Sequence, residues 1–405
     1  MSVEIRDVAP EDLEALRRTV AIAFGQDPDP AEEERDRRLV EFDRNRGAFE
    51  GKRLVGAAGA YSLDLTIPGG VAPTAGISNV TVLPSHRRQG LMRLMMTELL
   101  ADARRRGDLL AALWSSEKPL YGRFGFGVAG VTTHTVIDRF PLVPHRLAPA
   151  PAQVILIDSD AAKDALPPVF DRKRRQVPGM FARSADWWEL ETLADHPRHR
   201  KDASSYRYAL ALDPDSEAVG YAQYRTSGSW EGISIGVTVG LEEMVALTPQ
   251  AYAGLWAFLV NQDLIQQLRA WNLPAGTALH HLYDNFRESQ TLSDGLWIRI
   301  LDVETALSTR RYCVDGSVAL EVFDPVDRIV RRYRLEVSEG VGMCKATSDP
   351  PDLTVDMEDL SAGFLGRPRF RRLAAFSRVG GAPAACALAD AMFDWHPQPW
   401  CQEVF

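Results

Sequence analysis

Cysteine is scarce in this chain: Cys313, Cys344, Cys386 and Cys401 are the only four among 405 residues, with no C-x-x-C pair and no histidine at ligand spacing. That scarcity excludes a disulfide-stapled fold and a cysteine-built zinc site, and leads us to expect reduced, mostly buried thiols in a cytoplasmic protein. A basic excess is missing too. The formal charge of −9 argues against a nucleic-acid partner and favours cationic ones through electrostatic steering. Long apolar runs are absent. The most apolar long window, Leu373 to Phe393, is interrupted by Arg378, a glycine pair, Pro383 and Asp390, so neither a transmembrane helix nor a membrane partner is expected. The opening MSVEIRDVAPEDLEAL carries acids and no apolar core, so no secretory leader is expected either. No G-x-x-x-x-G-K-[ST] phosphate loop occurs. SSEK, Ser115 to Lys118, matches S-x-x-K without the companion motifs of penicillin-recognising enzymes. His280 and His281 stand side by side and cannot share a face, and no carboxylate completes a metal set, so no metal is expected.

What is present alternates between helix and strand periodicities, the pattern of a layered α/β or α+β structure. VEIRDV reads as a strand, APEDLEALRRTVAIAF as an amphipathic helix with Leu13, Leu16, Val20 and Phe24 on one face, and AEEERDRRLVEF as a second, highly charged helix. GAFEGKRLVGAAGAYSLDLTIPGG and GISNVTVLP supply antiparallel strands. From Gly90, Leu91, Leu94, Met95, Leu99 and Ala103 recur at helical spacing until RRRG supplies a cationic last turn and a glycine stop, and DLLAALWSS follows as a buried strand. The proline- and alanine-rich segment from Pro141 to Val154 breaks every period and places a first boundary. A second unit follows: RYALAL and AVGYAQYR as hairpin strands, GISIGVTVGLEEMVAL as a longer strand pair, and a helix opened by Pro249. A third starts near Ser289, with LWIRILDVETAL, VALEVFD, IVRRYRLEVSE and MCKATSD as strands and helices around VDMEDLSAGFL and ALADAMF.

The stretch richest in chemistry runs from Ile77 to Leu100. A strand, a turn at Pro84, and then Arg87, Arg88, Gln89 and Gly90 opening a helix is an arrangement suited to an anion, because first-turn amides and the helix dipole point outward and Gly90 allows close approach. On its own the R-R-x-G run also fits a solvated basic turn. With the helix, the strand LLAALWSS and the loop YGRFGFG, it resembles the GCN5-related N-acetyltransferase superfamily, whose R/Q-x-x-G-x-G/A signature binds the pyrophosphate of acetyl-CoA. Arg87 and Gly90 match the first two anchors; Met92 stands where a small residue is usual.

More narrowly, the whole chain is similar to the enhanced intracellular survival family of bacterial N-acetyltransferases, through VTVLPSHRRQGLMR, SSEKPLYGRFGFG, GYAQYR, LHHLYDNF, DGLWIRILDVETAL and the terminal Phe405. The resemblance implies an α+β fold of mixed α/β character. Tandem acetyltransferase folds would be followed by a sterol-carrier-protein-like domain: residues 1–145 catalytic, 146–288 degenerate, 289–405 supplying the C-terminus. It also implies a homo-oligomer, typically a hexamer, and acetyl-CoA as cosubstrate with no metal. By the same resemblance the backbone of Val80, Thr81 and Val82 pairs with the acetyl and pantetheine arm. Arg88, Gln89, Gly90, Leu91, Met92 and Arg93 wrap the pyrophosphate, and Ser116 and Glu117 line the cofactor further on. Tyr121 falls on the proton donor, and Phe405 on the residue whose α-carboxylate accepts a proton.

Acyl transfer to an amine needs one proton taken from nitrogen and one given to sulfur. A phenol of reference pKa about 10 protonates a thiolate of about 8.5 only where positioning offsets an uphill transfer. A terminal carboxylate near 3.5 is a weak base unless burial, here among Trp395, Trp400 and the Phe405 ring, raises it. The plainer alternatives are that Tyr121 packs under Phe124 and Phe126 and that the tail docks only for packing. Direct transfer to small polycationic amines, aminoglycosides being the class implied, is the leading expectation. Asp27, Asp29 and Glu32 to Glu34 could attract such a cation or simply start a helix. Acetylation of protein lysines or polyamines uses the same residues, and a lipid or sterol binder working through its last domain is the alternative of another class.

Overall fold

The glycine-punctuated strand patterns of the first third fold into one sheet, and a later strand completes it. The structure, a computed structural model, describes residues 3–138, 142–231, 234–276, 278–287 and 289–405. It contains two units, one of Met1–Gly130, Val177–Ala182 and Gly295–Phe405 and the other of Val131–Gln176 and Arg183–Asp294. In the first unit seven strands lie in the order Val3–Asp7, Asn45–Glu50, Arg53–Ile67, Gly70–Val82, Leu110–Trp114, Leu296–Ile300 and Gly127–Val128. The first four pair antiparallel, whereas Gly70–Val82 and Leu110–Trp114 run parallel. A parallel pair requires a crossover, and the helix Leu91–Arg106 supplies it. Leu91, Met95, Leu99 and Ala103, four residues apart, bury one stripe of that helix against Ala75, Ile77, Ala111 and Leu113 of the two strands. Gly107, at φ 87°, ends it in the left-handed conformation, and Arg104 to Arg106 fill the last turn, where cations suit the dipole.

The second unit repeats this plan. Its sheet runs Ser289–Asp294, Val131–Asp138, Ile265–Pro274, Ser234–Ala246, Ala218–Glu231, Arg207–Leu212 and Gln153–Ile157. Again one parallel pair, Ser234–Ala246 with Ile265–Pro274, is bridged by a helix, Pro249–Val260. The stretch expected as a strand pair is one strand of 13 residues, Ser234–Ala246; its first two positions, 232 and 233, lie outside the described residues. The helix Ser159–Arg174 was not anticipated, because Pro167 and Pro168 lie within it. The boundaries expected from the resemblance lie at 145/146 and 288/289, the latter touching position 288 outside the described residues; sheet membership changes at 130/131 and 294/295.

A third, five-stranded sheet belongs to the first unit, in the order Val341–Ala346, Ile329–Ser338, Gly316–Asp324, Leu353–Asp356 and Gly380–Gly381. LWIRILDVETAL divides between two structures. Its first half is the strand Leu296–Ile300 of the first sheet, and the second is the helix Val303–Thr309, capped by the Asp302 side chain accepting from the Thr305 amide at 3.1 Å. The helices Met357–Gly363 and Pro383–Phe393 fall where expected. All four cysteines are free thiols, and Cys313 is the exposed one. Trp187 and Trp188 are buried. Among the described residues no helix is long and apolar enough to cross a membrane.

Wholly buried Arg310 ties this third layer together. Its guanidinium donates to the Phe364 carbonyl and, at 2.9 Å, to the Phe393 carbonyl, lying 4.8 Å from the Phe393 ring centre. Burial pulls its pKa down to about 10. Arg310→Met relieves that buried charge but leaves two buried carbonyls without donors, at about 1–3 kcal/mol each. We expect a net loss of about 2 kcal/mol, read as a lower urea midpoint at unchanged slope.

Candidate active site

The two parallel strands pair only where Thr74, Ala75 and Gly76 face Leu110, Ala111 and Ala112. Beyond that point Leu113 and Trp114 continue to pair with Trp297 and Leu296 on their other side, while Gly70–Val82 runs on toward Val82 beside Arg53–Ile67. The sheet therefore parts after Gly76. Three residues later a bulge turns the strand: Gly59 faces Ser78 and Ala57 faces Thr81, so Asn79 and Val80 together oppose one residue. Asn79 takes φ 55°, a left-handed value that asparagine adopts more readily than most residues. Bulges re-aim the chain, and this one precedes the Val80 to Val82 segment.

After the strand, a turn at Pro84–His86 leads to Arg88 at φ 65° and Gly90 at φ 79°, and the helix begins at Leu91 with no side-chain cap. The first-turn amides are thus left for another acceptor. In the second unit the corresponding helix is closed by its own sequence: Thr248 accepts from the Ala251 amide at 3.1 Å, and Pro249 occupies the first turn. Only the first of the two helices offers an open N-terminus.

Around that open end lies a cavity of about 720 Å³. Of the residues expected from sequence, it is lined by Val80, Thr81, Val82, Arg88, Gly90, Leu91, Met92, Arg93, Ser116, Glu117 and Tyr121. Gln89 is not part of the lining, and neither is Phe405. The structure adds Ala23 and Phe24 from the end of the helix Leu13–Ala23, His86 and Arg87 from the turn, and Leu120, Arg123 and Phe124 from the loop carrying Tyr121. Arg87 donates from Nη2 to the Ala23 carbonyl and from Nε to the Val82 carbonyl, both at 3.3 Å, joining helix end to strand end. Phe24, 55% exposed, shows in sequence only as the last apolar residue of a helical stripe. Arginines at the lining and free first-turn amides suit a polyphosphate.

Tyr121 ends the short helix Lys118–Tyr121 and is buried, its ring edge-on to Phe126 at 6.2 Å. Burial raises the phenol's pKa, a hydrogen bond with Ser116 opposes this, and the charge of Glu117 adds to the rise. The phenol is therefore held in the protonated form. The glycines of YGRFGFG pack against the helix Met357–Gly363 and the strand Leu296–Ile300. A side chain on Gly122 would come within 2.9 Å of Glu358 Oε2, and one on Gly127 would meet the Glu358 carbonyl and, at 2.9 Å, Ala362 Cβ. One on Gly125 would strike Arg299 Nη1 and approach Met357 Cγ at 2.9 Å.

The C-terminal tail reaches the same sheet. Residues 177–182 are strapped to the strand Arg53–Ile67, with the Thr66 amide donating to the Met180 carbonyl and the Gly179 amide to the Thr66 carbonyl, each at 2.8 Å. Onto this strap the Trp400 amide donates, to the Pro178 carbonyl at 2.9 Å. Gly179, at φ 98°, has no room for a side chain against the Trp400 backbone. Cys401, Gln402 and Glu403 are buried, Val404 is exposed, and the Phe405 ring turns inward. It meets Phe181 edge-on at 5.5 Å and lies over Gly76, where a side chain would come within 3.1 Å of its Cε2. The aromatic partner is thus Phe181, where the sequence suggested Trp395 and Trp400. Asp29 caps a turn by accepting from the Ala31 amide at 2.9 Å, and Glu32 and Glu33 pair with Arg35 and Arg37 at 3.6 and 2.7 Å, so these three acids serve the helix start. Among the described residues no group of three His, Cys, Asp or Glu side chains could hold a metal ion.

Acetyltransferase (GNAT) domain models match residues 4–129 and 179–300, and a sterol carrier protein domain model matches 303–402. Fold and open helix end together define an N-acetyltransferase of the GNAT type. An uncharacterized N-acetyltransferase of Streptomyces avermitilis is 34% identical over all of this chain and 99% of its own length. N-acetyltransferase Eis of Mycobacterium tuberculosis is 33% identical over 82% of this chain and 81% of its own. The crystal structure of Eis1 from Mycobacterium abscessus superposes with a TM-score of 0.86 at 30% identity, covering 99% of this chain and 100% of that one. The chain belongs to the Eis family of N-acetyltransferases. Acetyltransferases of this fold use acetyl-CoA.

Because the Tyr121 phenol is raised by burial, its protonation costs nothing extra below the ordinary phenol pKa of about 10, and its contribution to stability is lost as pH rises through the higher folded value. Difference spectra of wild type minus Tyr121→Phe should therefore show phenolate absorbance only above about pH 10.

Proposed function

We propose that this enzyme transfers an acetyl group from acetyl-CoA directly to an amine of a small cationic molecule, aminoglycosides being the class, with Tyr121 as proton donor and the Phe405 α-carboxylate as proton acceptor. The observation that carries the reading is the seat of Phe405: its ring rests over Gly76, the residue after which the two parallel strands part. The chain's terminal carboxylate is attached to a residue anchored at the mouth of that gap.

Acetyl-CoA supplies an activated thioester, and in the transfer an N–C bond forms, the C–S bond breaks, one proton leaves nitrogen and one reaches sulfur. In this reading the amides following Gly90, with Arg88 and Arg93, hold the pyrophosphate. The backbone of Val80 to Val82 orients the pantetheine arm, and Ser116 and Glu117 flank it beside Tyr121. Ser116 keeps the phenol oriented through their shared hydrogen bond. Direct transfer is favoured because no cysteine lines the cavity. Asp29, Glu32 and Glu33 are engaged in a turn and in ion pairs, so attraction of a cation rests mainly on the overall negative charge and on the amine cleft itself.

A screen of thiol release over aminoglycosides, polyamines and lysine peptides tests the substrate class; turnover confined to lysine peptides would reassign it. Tyr121→Phe should lower kcat by about a hundredfold with little change in KM for acetyl-CoA; wild-type rates would remove its role. A chain extended by a few residues beyond Phe405 should keep the thermal stabilisation that acetyl-CoA confers and lose turnover; full activity would remove the carboxylate from the mechanism.

A further inference from the structure

Arg299 lies in the strand Leu296–Ile300, wholly buried, with its backbone fixed in the first sheet opposite Ala111. Its guanidinium spans two elements. Nη2 donates to both oxygens of Asp324, at 3.0 and 2.7 Å, and Nη1 donates to the carbonyl of Phe124, three residues after Tyr121. Asp324 ends the third sheet's strand Gly316–Asp324 and is itself held by the Val326 amide at 3.0 Å. The turn that receives Nη1 is stiff: the Gly125 amide donates to the Gly122 carbonyl at 2.8 Å and the Phe126 amide to the Tyr121 carbonyl at 3.3 Å. A shift at Phe124 is therefore transmitted to Tyr121.

We propose that Arg299 is a positioning residue for proton donation, holding the Tyr121 turn at its working height by bridging the Phe124 carbonyl to Asp324. The inference rests on the reading of Tyr121 as proton donor. A guanidinium is planar, so Nη2 held by both oxygens of Asp324 sets the plane in which Nη1 reaches the Phe124 carbonyl, whereas a lysine ammonium can satisfy the acid or the carbonyl but does not present a rigid fork to both. Gly125, at φ 78°, brings no side chain to this point, where a Cβ would crowd Nη1 and Met357. Glu358, packed against Gly122 and Gly127, closes the platform from the helix Met357–Gly363, so the turn is gripped from the third sheet's elements on two sides.

The test is steady-state kinetics on Arg299→Lys, with Asp324→Asn as a second variant that leaves the guanidinium in place but removes one of its two acceptor oxygens. Each should lower kcat about tenfold while KM for acetyl-CoA stays within about twofold, since the phosphate-facing residues lie on other elements. In a Tyr121→Phe background Arg299→Lys should have no further effect on kcat, because the group it positions is gone. Unchanged kcat in both variants would overturn the proposal, and so would the same tenfold loss in the Tyr121→Phe background, which marks general damage. Wild-type rates from Tyr121→Phe alone would instead overturn the reading on which the proposal stands.

Discussion

The parting of two parallel strands after Gly76 is the constraint on which the rest of this structure depends. A strand that leaves its neighbour exposes a row of backbone donors and acceptors, which normally invites re-pairing or aggregation. Here the gap is held open from both sides. Leu110–Trp114 stays committed to Leu296–Ile300 on its far edge, and the bulge at Asn79 turns the other strand toward the Pro84 turn. The uncapped helix end and the buried phenol line one cavity, and the Phe405 ring lies over Gly76, where the strands part.

The second unit shows what the same plan looks like once the helix end is sealed. Its parallel pair and crossover helix repeat those of the first unit. Thr248 and Pro249 stand where the first unit has Gly90 and Leu91, and a hydroxyl cap plus a residue lacking an amide hydrogen leaves fewer donors for a phosphate. One topology thus carries two electrostatic characters, and a few residues at a single turn decide between them.

Much of this was legible in the sequence because it depends on local rules. Leu91, Met95, Leu99 and Ala103 announce a helix by spacing alone, Gly107 ends it, and Arg87 to Gly90 mark its anion-facing start. Other features depend on distant partners. Nothing local distinguishes Phe24 from a frayed apolar residue, and only its place at the end of the Leu13–Ala23 helix brings it to the cavity. The prolines inside Ser159–Arg174 argue against a helix locally, yet Leu166, Val169 and Phe170 are buried there and Asp158 caps it, accepting from the Ala161 amide at 2.8 Å. The glycines of YGRFGFG resemble a flexible loop, whereas Gly127 is held against the backbone of Glu358, far along the chain, and Gly125 takes φ 78°. The change of sheet after Gly130 was equally hidden, since Val131–Asp138 has the periodicity of a strand for either sheet.

The position of Leu296–Ile300 between Leu110–Trp114 and Gly127–Val128 bears on how the chain is made. Domains ordinarily fold in the order in which they leave the ribosome, the N-terminal one first. In this protein the first sheet lacks an interior strand until the chain has been synthesised past Ile300, so Leu110–Trp114 must wait with one edge open and Gly127–Val128 without its neighbour while the entire second unit emerges. Sheet closure thus becomes a late event with a long loop to close, and a nascent chain halted before that strand carries the phosphate-facing turn on a sheet that is still incomplete.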